Sequence, residues 1–247
     1  MQEKITLDGS FGKLSVTAAE RRRRISAVFK GVAPRYDLMN DLMSFGIHRL
    51  WKRKLAARVA DVSGTEVVAV DLAGGTGDVA RLLAKGQRQV VVCDPSLAMM
   101  MVGRMRGRGD LTWLAGEAEK LPFADASVDL LTVAFGLRNA THLALALREI
   151  RRVLKPGARF VCLEFSRPAA WLAPFYDLYS FLVIPRLGAL VAREPLAYQY
   201  LVESIRRFPD QAEFAGLMEQ SGFGAVYWED VSFGIACLHI GTRPHET

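Results

Sequence analysis

Short apolar runs alternate with longer amphipathic ones from residue 66 to residue 165. Residues 66–72 read EVVAVDL, a β-branched apolar run that predicts a parallel strand buried on both faces. Similar runs stand at 89–93, 111–115, 128–135 and 159–165. Helical stretches separate them. One covers 79–85 and can stop at Gly86, a Met-rich one follows Asp94-Pro95 with Ser96 as its N-cap, and one over 143–154 ends at Lys155-Pro156-Gly157. This alternation predicts an α/β domain with right-handed crossovers and an open, doubly wound, mostly parallel sheet. Further on, Asp210 and Glu213 have the spacing of a capping box, opening a helix that Gly222 ends. Stretches 225–229 and 234–241 read as two closing strands.

The flanking segments follow other patterns. Residues 17–60 read as helical with an interruption at 33–37, because Pro34 disfavours helical geometry at the residue before it. Residues 1–60 are therefore read as an N-terminal basic helical region forming part of the site cover, and residues 61–247 as the core domain. Near 167–200 the alternation gives way to an apolar insertion containing WLAPFYDLYSFLVIP at 171–185. Its prolines and Asp177 argue against a membrane span, and no run of 18 apolar residues occurs elsewhere. The opening residues Met1-Gln2-Glu3-Lys4 precede no apolar signal-peptide core, so a cytoplasmic location is expected.

Charge adds a second possible partner surface. The formal net charge is +6, and residues 1–60 hold 13 Lys and Arg against 5 Asp and Glu. A solvated helical face accounts for this excess. So does a basic skirt drawn to an anionic membrane, which would seat the protein peripherally on the inner face. The basic region has no interleaved aromatic platform, and no reading motif follows it, so nucleic acid is not an expected partner. Cys93, Cys162 and Cys237 sit singly in apolar runs and read as reduced core thiols. His48, His142, His239 and His245 lack ligand spacing, so no metal is expected.

Candidate chemistry gathers after the first predicted strand, at Asp71-Leu72-Ala73-Gly74-Gly75-Thr76-Gly77-Asp78. Glycines here allow a sharp turn and close approach to a ligand at the carboxyl ends of the strands. Residues 75–80 also fit the dinucleotide pattern G-x-G-x-x-A, which makes a dehydrogenase the rival reading. Asp71 weighs against it, since negative charge is unfavourable beside a pyrophosphate and favourable beside an ammonium. S-adenosylmethionine carries such an ammonium and no phosphate. Asp94 closes the second strand, where a carboxylate can accept hydrogen bonds from ribose hydroxyls. The loop at 116–123, GEAEKLPF, resembles the one that in class I methyltransferases carries an acidic side chain toward the adenine amino group.

Several longer segments resemble the C-methyltransferases of ubiquinone and menaquinone biosynthesis. They are Val28-Phe29, APRYDLMNDLMSFGIHRLWK at 33–52, DLAGGTGD at 71–78, FGLRN at 135–139, LEFS at 163–166, YDLYSF at 176–181 and residues 215–223. The resemblance runs from about residue 28 to residue 241. It implies a class I methyltransferase fold with an antiparallel last strand, S-adenosyl-L-methionine as cofactor, and methylation of a ring carbon of a polyprenylated benzoquinol or naphthoquinol. Assembly with other quinone-biosynthesis proteins is a further partner it suggests.

By the same resemblance Thr76, Asp94, Glu117 and Ala118 contact the cofactor, with Asp71, Gly75 and Gly77 completing the set. Two positions depart from the family: Glu117 stands where Asn or Asp is common, and Ala134 where Ser is frequent. Ring methylation needs a phenolate, so Arg138 is the candidate that stabilises it, with Asn139 fixing the geometry. The competing reading of Arg138 is a helix-flank arginine paired with a carboxylate. Tyr36 and Asp37 are candidates for a lid over the cofactor or for plain loop packing, and 171–184 for an apolar entry to an isoprenoid tail. Two other functions fit the core motifs: methylation of a small soluble phenol or amine, and a non-catalytic scaffold.

Overall fold

The computed structural model describes residues 10–11, 14–33, 36–107, 110–182 and 195–245. A two-stranded ribbon, β1 (Ser10–Phe11) and β2 (Leu14–Ser15), leads into three helices: α1 (Ala18–Val32), α2 (Tyr36–Ser44) and α3 (Ile47–Ala57). Then come β3 (Val68–Leu72), α4 (Asp78–Leu83), β4 (Gln89–Asp94), α5 (Leu97–Met105), β5 (Leu111–Ala115), β6 (Val128–Ala134), α6 (Leu143–Val153) and β7 (Leu154–Phe165). The chain closes through α7 (Ala173–Leu182), α8 (Pro195–Arg207), α9 (Gln211–Gln220), β8 (Gly224–Val231) and β9 (Ala236–Thr242).

Seven strands form one sheet in the order β5-β4-β3-β6-β7-β9-β8. Pairs among β3 to β7 are parallel, and β9 runs antiparallel to both neighbours. The fold is thus the doubly wound α/β sheet with an antiparallel last strand. The parallel strands need cover on both faces because apolar side chains leave them in both directions. One face packs against α6, whose Leu143, Ala146, Leu147, Ile150 and Val153 recur at helical spacing, and against Phe214, Leu217 and Met218 of α9. The other face meets Leu55 of α3 and Val79 and Leu83 of α4. Asp210 caps α9 as its spacing predicts: Oδ1 accepts from Glu213 N–H and Asp210 N–H donates to Glu213 Oε2, each at 3.0 Å.

Three local differences have clear physical causes. The interruption expected at 33–37 is narrower, so Tyr36 and Asp37 open α2. A second interruption follows at Phe45-Gly46, both with positive φ, where Gly46 N–H donates to Asp41 O at 2.9 Å and closes the end of α2. Nor does the chain loop out at Lys155-Pro156-Gly157. Leu154 is already extended and pairs with Val128, and the extra residues are absorbed as a register shift before Arg159 meets Leu130. Of the apolar stretch 171–185, residues 183–185 lie outside the described residues.

Candidate functional site

The neighbours of β3 are β4 on one side and β6 on the other, so the loops leaving these strands diverge and open a crevice at their carboxyl ends. Asp71, near the end of β3, is 1% exposed. Its Oδ2 accepts from Ala80 N–H at 3.0 Å, and its Oδ1 accepts from Thr132 Oγ1–H at 3.1 Å, across the β3–β6 pairing. Burial pushes this carboxyl up to about 7. Asp71 therefore lies under the glycine turn and braces it, rather than forming a wall of the crevice. Gly77, with φ +81, is the N-cap of α4, and a Cβ there would lie 2.9 Å from Trp113 Cη2.

Above this brace lies a cavity of about 200 Å³. Gly75, Asp94, Met99, Glu117 and Ala118 contribute to its walls. Asp94 Oδ2 accepts from Gly75 N–H at 2.8 Å and Oδ1 from Ser96 N–H at 2.7 Å. Burial raises its pKa to about 6 despite these two bonds. Thr76 is buried, and its hydroxyl donates to Asp37 Oδ1 at 3.4 Å, which brings α2 onto the glycine turn. Helix α1 supplies a further wall through Arg22, Ile25, Ser26 and Phe29. Arg21, one position earlier and buried, donates to Asn139 O at 2.9 Å and Ala140 O at 3.2 Å, and so fastens α1 across the crevice.

A second cavity, of about 290 Å³, adjoins the first, and Phe135 lines both. Phe135 has φ +60 and packs on Phe165, with ring centroids 4.6 Å apart. Trp51, Phe165, Phe175, Tyr179 and Leu201 make this chamber largely apolar, and Arg138 and His48 are polar groups among its walls. Arg138 is buried in the short 3-10 turn Leu137–Asn139. Its Nη1 donates to Glu164 Oε2 at 3.1 Å and to Phe135 O, and its guanidinium lies over the Phe165 ring. Both Arg138 readings thus have a physical basis: it is paired with a carboxylate, and it also lines a chamber. Its Nη2 has no hydrogen-bond partner among the described residues. Asn139 lines the first cavity, and its Oδ1 accepts from Tyr200 O–H of α8 at 2.9 Å.

Residues 16–243 match the ubiE/COQ5 methyltransferase family. The chain belongs to that family. It is 62% identical to the ubiquinone/menaquinone biosynthesis C-methyltransferase UbiE of Rubrivivax gelatinosus, over 98% of this chain and 96% of that protein. It is 42% identical to the human mitochondrial 2-methoxy-6-polyprenyl-1,4-benzoquinol methylase, over 98% of this chain and 86% of that protein. Among solved structures, the methyltransferase bound to the Trm112 activator of Haloferax volcanii aligns with a TM-score of 0.65 at 18% identity, covering 88% of this chain and 98% of that one. An S-adenosylmethionine-dependent methyltransferase of Thermotoga maritima aligns at 0.62 and 20%, covering 89% and 99%. These two likenesses are of fold.

Of the residues singled out from sequence, Gly75, Asp94, Glu117, Ala118 and Asn139 line the first cavity of this methyltransferase, and Arg138 lines the second. Asp71 and Gly77 shape the turn beneath. Sequence reasoning read residues 1–60 as part of the site cover but named no α1 residue at the site, although the spacing of Arg22, Ile25, Ser26 and Phe29 marks one helical face. Glu119 was missed as well: its Oε1 accepts from Thr141 N–H at 2.6 Å and fixes the rim opposite. His48 carried no motif that separates it from a core histidine. Tyr36 is in α2, but its side chain lies outside the described residues.

The two glycine environments predict opposite responses to alanine. At Gly77 the left-handed backbone and the Trp113 ring both oppose a Cβ, so Gly77→Ala should cost about 1–2 kcal/mol in urea unfolding. At Gly216, inside α9 with no atom within 4 Å, alanine should stabilise the fold by about 0.5–1 kcal/mol. Equal midpoints for the two variants would contradict this account.

Proposed function

We propose that this methyltransferase transfers a methyl group from S-adenosyl-L-methionine to a ring carbon of a polyprenylated quinol: a benzoquinol, a naphthoquinol or both. One observation carries the reading beyond family membership. A mixed polar and apolar cavity at the switch point shares the Phe135 wall with a mainly apolar chamber that contains an arginine. A cofactor with a charged end, a ribose and an adenine suits the first, and a ring with a hydrocarbon tail suits the second.

The residues of the first cavity fit the cofactor chemically. Asp94 keeps its carboxylate on the cavity wall, within the N–H framework of Gly75 and Ser96, and can accept from ribose hydroxyls. Ala118 and Met99 offer apolar surface for a base, and Glu117 accepts from an exocyclic amine. Gly75, Thr76 and Gly77 shape the turn toward the amino-acid end, held from below by Asp71. When bound, the cofactor supplies an already electrophilic methyl group. The protein's task is to align the ring and to favour its ionised form. Arg138 remains protonated at any accessible pH, so it serves by stabilising the phenolate rather than by removing a proton. Glu164 holds the guanidinium through Nη1 and leaves Nη2 free to donate to a ring oxygen. Asn139, held by Tyr200, keeps this turn in place.

The long tail of such a substrate must come from a bilayer. Phe45, Leu38, Phe175 and Leu178 are 77, 52, 68 and 60% exposed on α2, its following turn and α7, elements that also build the chamber. No helix among the described residues is long and apolar enough to cross a membrane. The protein acts from the cytoplasm, peripherally on the inner face, with its basic N-terminal region against anionic headgroups. Liposome co-sedimentation should therefore fall steeply with added salt, at about 1 kcal/mol per well-placed basic residue. Equal binding to neutral and anionic vesicles would remove the electrostatic part.

Cofactor binding should depend on pH through Asp94. Its free-site pKa of about 6 means that protonation below that value removes charge-assisted acceptors. Affinity should fall as pH drops through about 6, by up to tenfold per pH unit. Asp94→Asn should bind weakly and without that pH step in calorimetric titration. The same step in the Asn variant would assign it to another group.

The rate should depend on Arg138. Arg138→Ala alone leaves the buried Glu164 carboxylate unpaired, so the double variant Arg138→Ala/Glu164→Gln is the cleaner probe. Single-turnover methylation of a short-chain demethyl quinol, kept reduced, should slow about 10²–10³-fold while cofactor affinity holds. Arg138→Lys should recover little, and higher pH should recover part of the loss as the quinol ionises unaided. Wild-type turnover in a folded double variant would make the pair purely structural.

A further inference from the structure

His48, in the first turn of α3, is 5% exposed and lines the apolar chamber together with Arg138. The hydrogen bonds around it assign its ring proton. Ser44 Oγ lies 2.6 Å from Asn40 O and 2.8 Å from His48 Nδ1. Two oxygens at 2.6 Å need a hydrogen between them, and a serine hydroxyl has one to give. It therefore points at the Asn40 carbonyl. Ser44 Oγ must accept at its other two contacts, the His48 backbone N–H at 3.4 Å and His48 Nδ1, so Nδ1 carries the proton and Nε2 carries the lone pair. Burial first, and then the nearby Lys52 ammonium, hold the ring's pKa down to about 4, so the imidazole is neutral.

Nε2 is thus an acceptor that cannot donate. Its carboxylate neighbour Asp41 Oδ1 is 3.8 Å away, too far for a hydrogen bond, and accepts from Arg49 Nε at 2.7 Å. Among the described residues Nε2 has no hydrogen-bond partner. An unpaired acceptor on a buried residue that lines a largely apolar chamber favours a ligand that brings a donor.

We propose that His48 Nε2 accepts a hydrogen bond from a ring hydroxyl of the substrate and thereby makes the chamber select the reduced ring over the oxidised one. The inference rests on the quinol reading above. A quinol offers an O–H to this lone pair, whereas the carbonyl of the oxidised ring sets a second acceptor against it. Arg138 does not separate quinol from quinone in this way, because a guanidinium only donates and finds an acceptor oxygen in a hydroxyl and in a carbonyl alike. Only the reduced ring can form the phenolate that the methyl transfer needs. A chamber that accepted both would be blocked by the oxidised form. The Nδ1–H bond to Ser44 is what holds the tautomer, so Ser44 is a positioning residue in this scheme.

The test is anaerobic calorimetric titration of the full chain with one short-chain demethyl quinol and with the same compound oxidised, alongside KM and kcat for the quinol. The wild type should prefer the reduced form by at least about tenfold, since a site built to pair with a hydroxyl rejects the analogue that lacks it. His48→Phe should bring the ratio within about twofold of unity and raise KM more than it lowers kcat, with S-adenosylmethionine affinity unchanged. Ser44→Ala keeps the ring but frees the tautomer, so its ratio should be intermediate. It decides the matter if His48→Phe does not fold. Equal wild-type affinities, a folded His48→Phe that keeps the wild-type ratio, or a Ser44→Ala ratio equal to wild type would each overturn the proposal. A wild type that discriminates between the two forms yet methylates no quinol would refute the proposed reaction and leave the role of His48 standing.

Discussion

The arrangement of this site depends on one buried carboxylate. Asp71, next to last in β3, joins the first turn of α4 through Ala80 N–H to the neighbouring strand through Thr132. Without those two donors an ionisable group at 1% exposure would be strongly unfavourable, and its pKa of about 7 reflects how far burial already opposes its charge. Both donors lie at positions dictated by the fold: one by the parallel β3–β6 register, the other by the direction of the helix start. The glycine turn above is thereby given a fixed floor, and Gly75 can present its N–H to Asp94.

From that floor the site extends in two directions that meet at Phe135. Its positive φ at the end of β6 lets the ring stand between the two cavities while its N–H still donates to Leu163 O at 2.8 Å. A bulky residue in the left-handed region is strained, and such strain persists where the surroundings overdetermine the geometry. Here the surroundings are Phe165 and Trp51, whose rings flank it. The partition brings two chemically different spaces within reach of each other, which a transfer reaction between a polar cofactor and an apolar ring requires.

The elements outside the sheet decide who gains access. Helix α1 is fastened over the first cavity by Arg21, while α2, α3 and α7 enclose the second. Several basic residues of the N-terminal region are engaged within the molecule, as in the Lys52–Asp78 and Arg49–Asp41 pairs. Others, such as Arg23, remain on the surface. The excess charge is therefore divided between internal pairs and exposed side chains, a division that composition could not make.

By itself the sequence determined the sheet, its order of elements and the glycine turn, because each follows from local pattern. Buried parallel strands are continuous apolar runs, helix starts carry Ser96 or Asp210 caps, and glycine is required where Gly77 has positive φ. It also singled out Asp94, Glu117 and Asn139, which line the first cavity and whose neighbours form short motifs. Only the tertiary structure decided that Asp71 braces the turn from below, that Arg138 is paired with Glu164, and that His48 faces a chamber assembled from α3, α7 and β7. These facts depend on residues well separated along the chain meeting in space, as Asp71 meets Thr132 and Arg138 meets Glu164. No periodicity encodes such a meeting, since a charge or an imidazole has the same letter whether it faces a partner, a cavity or water.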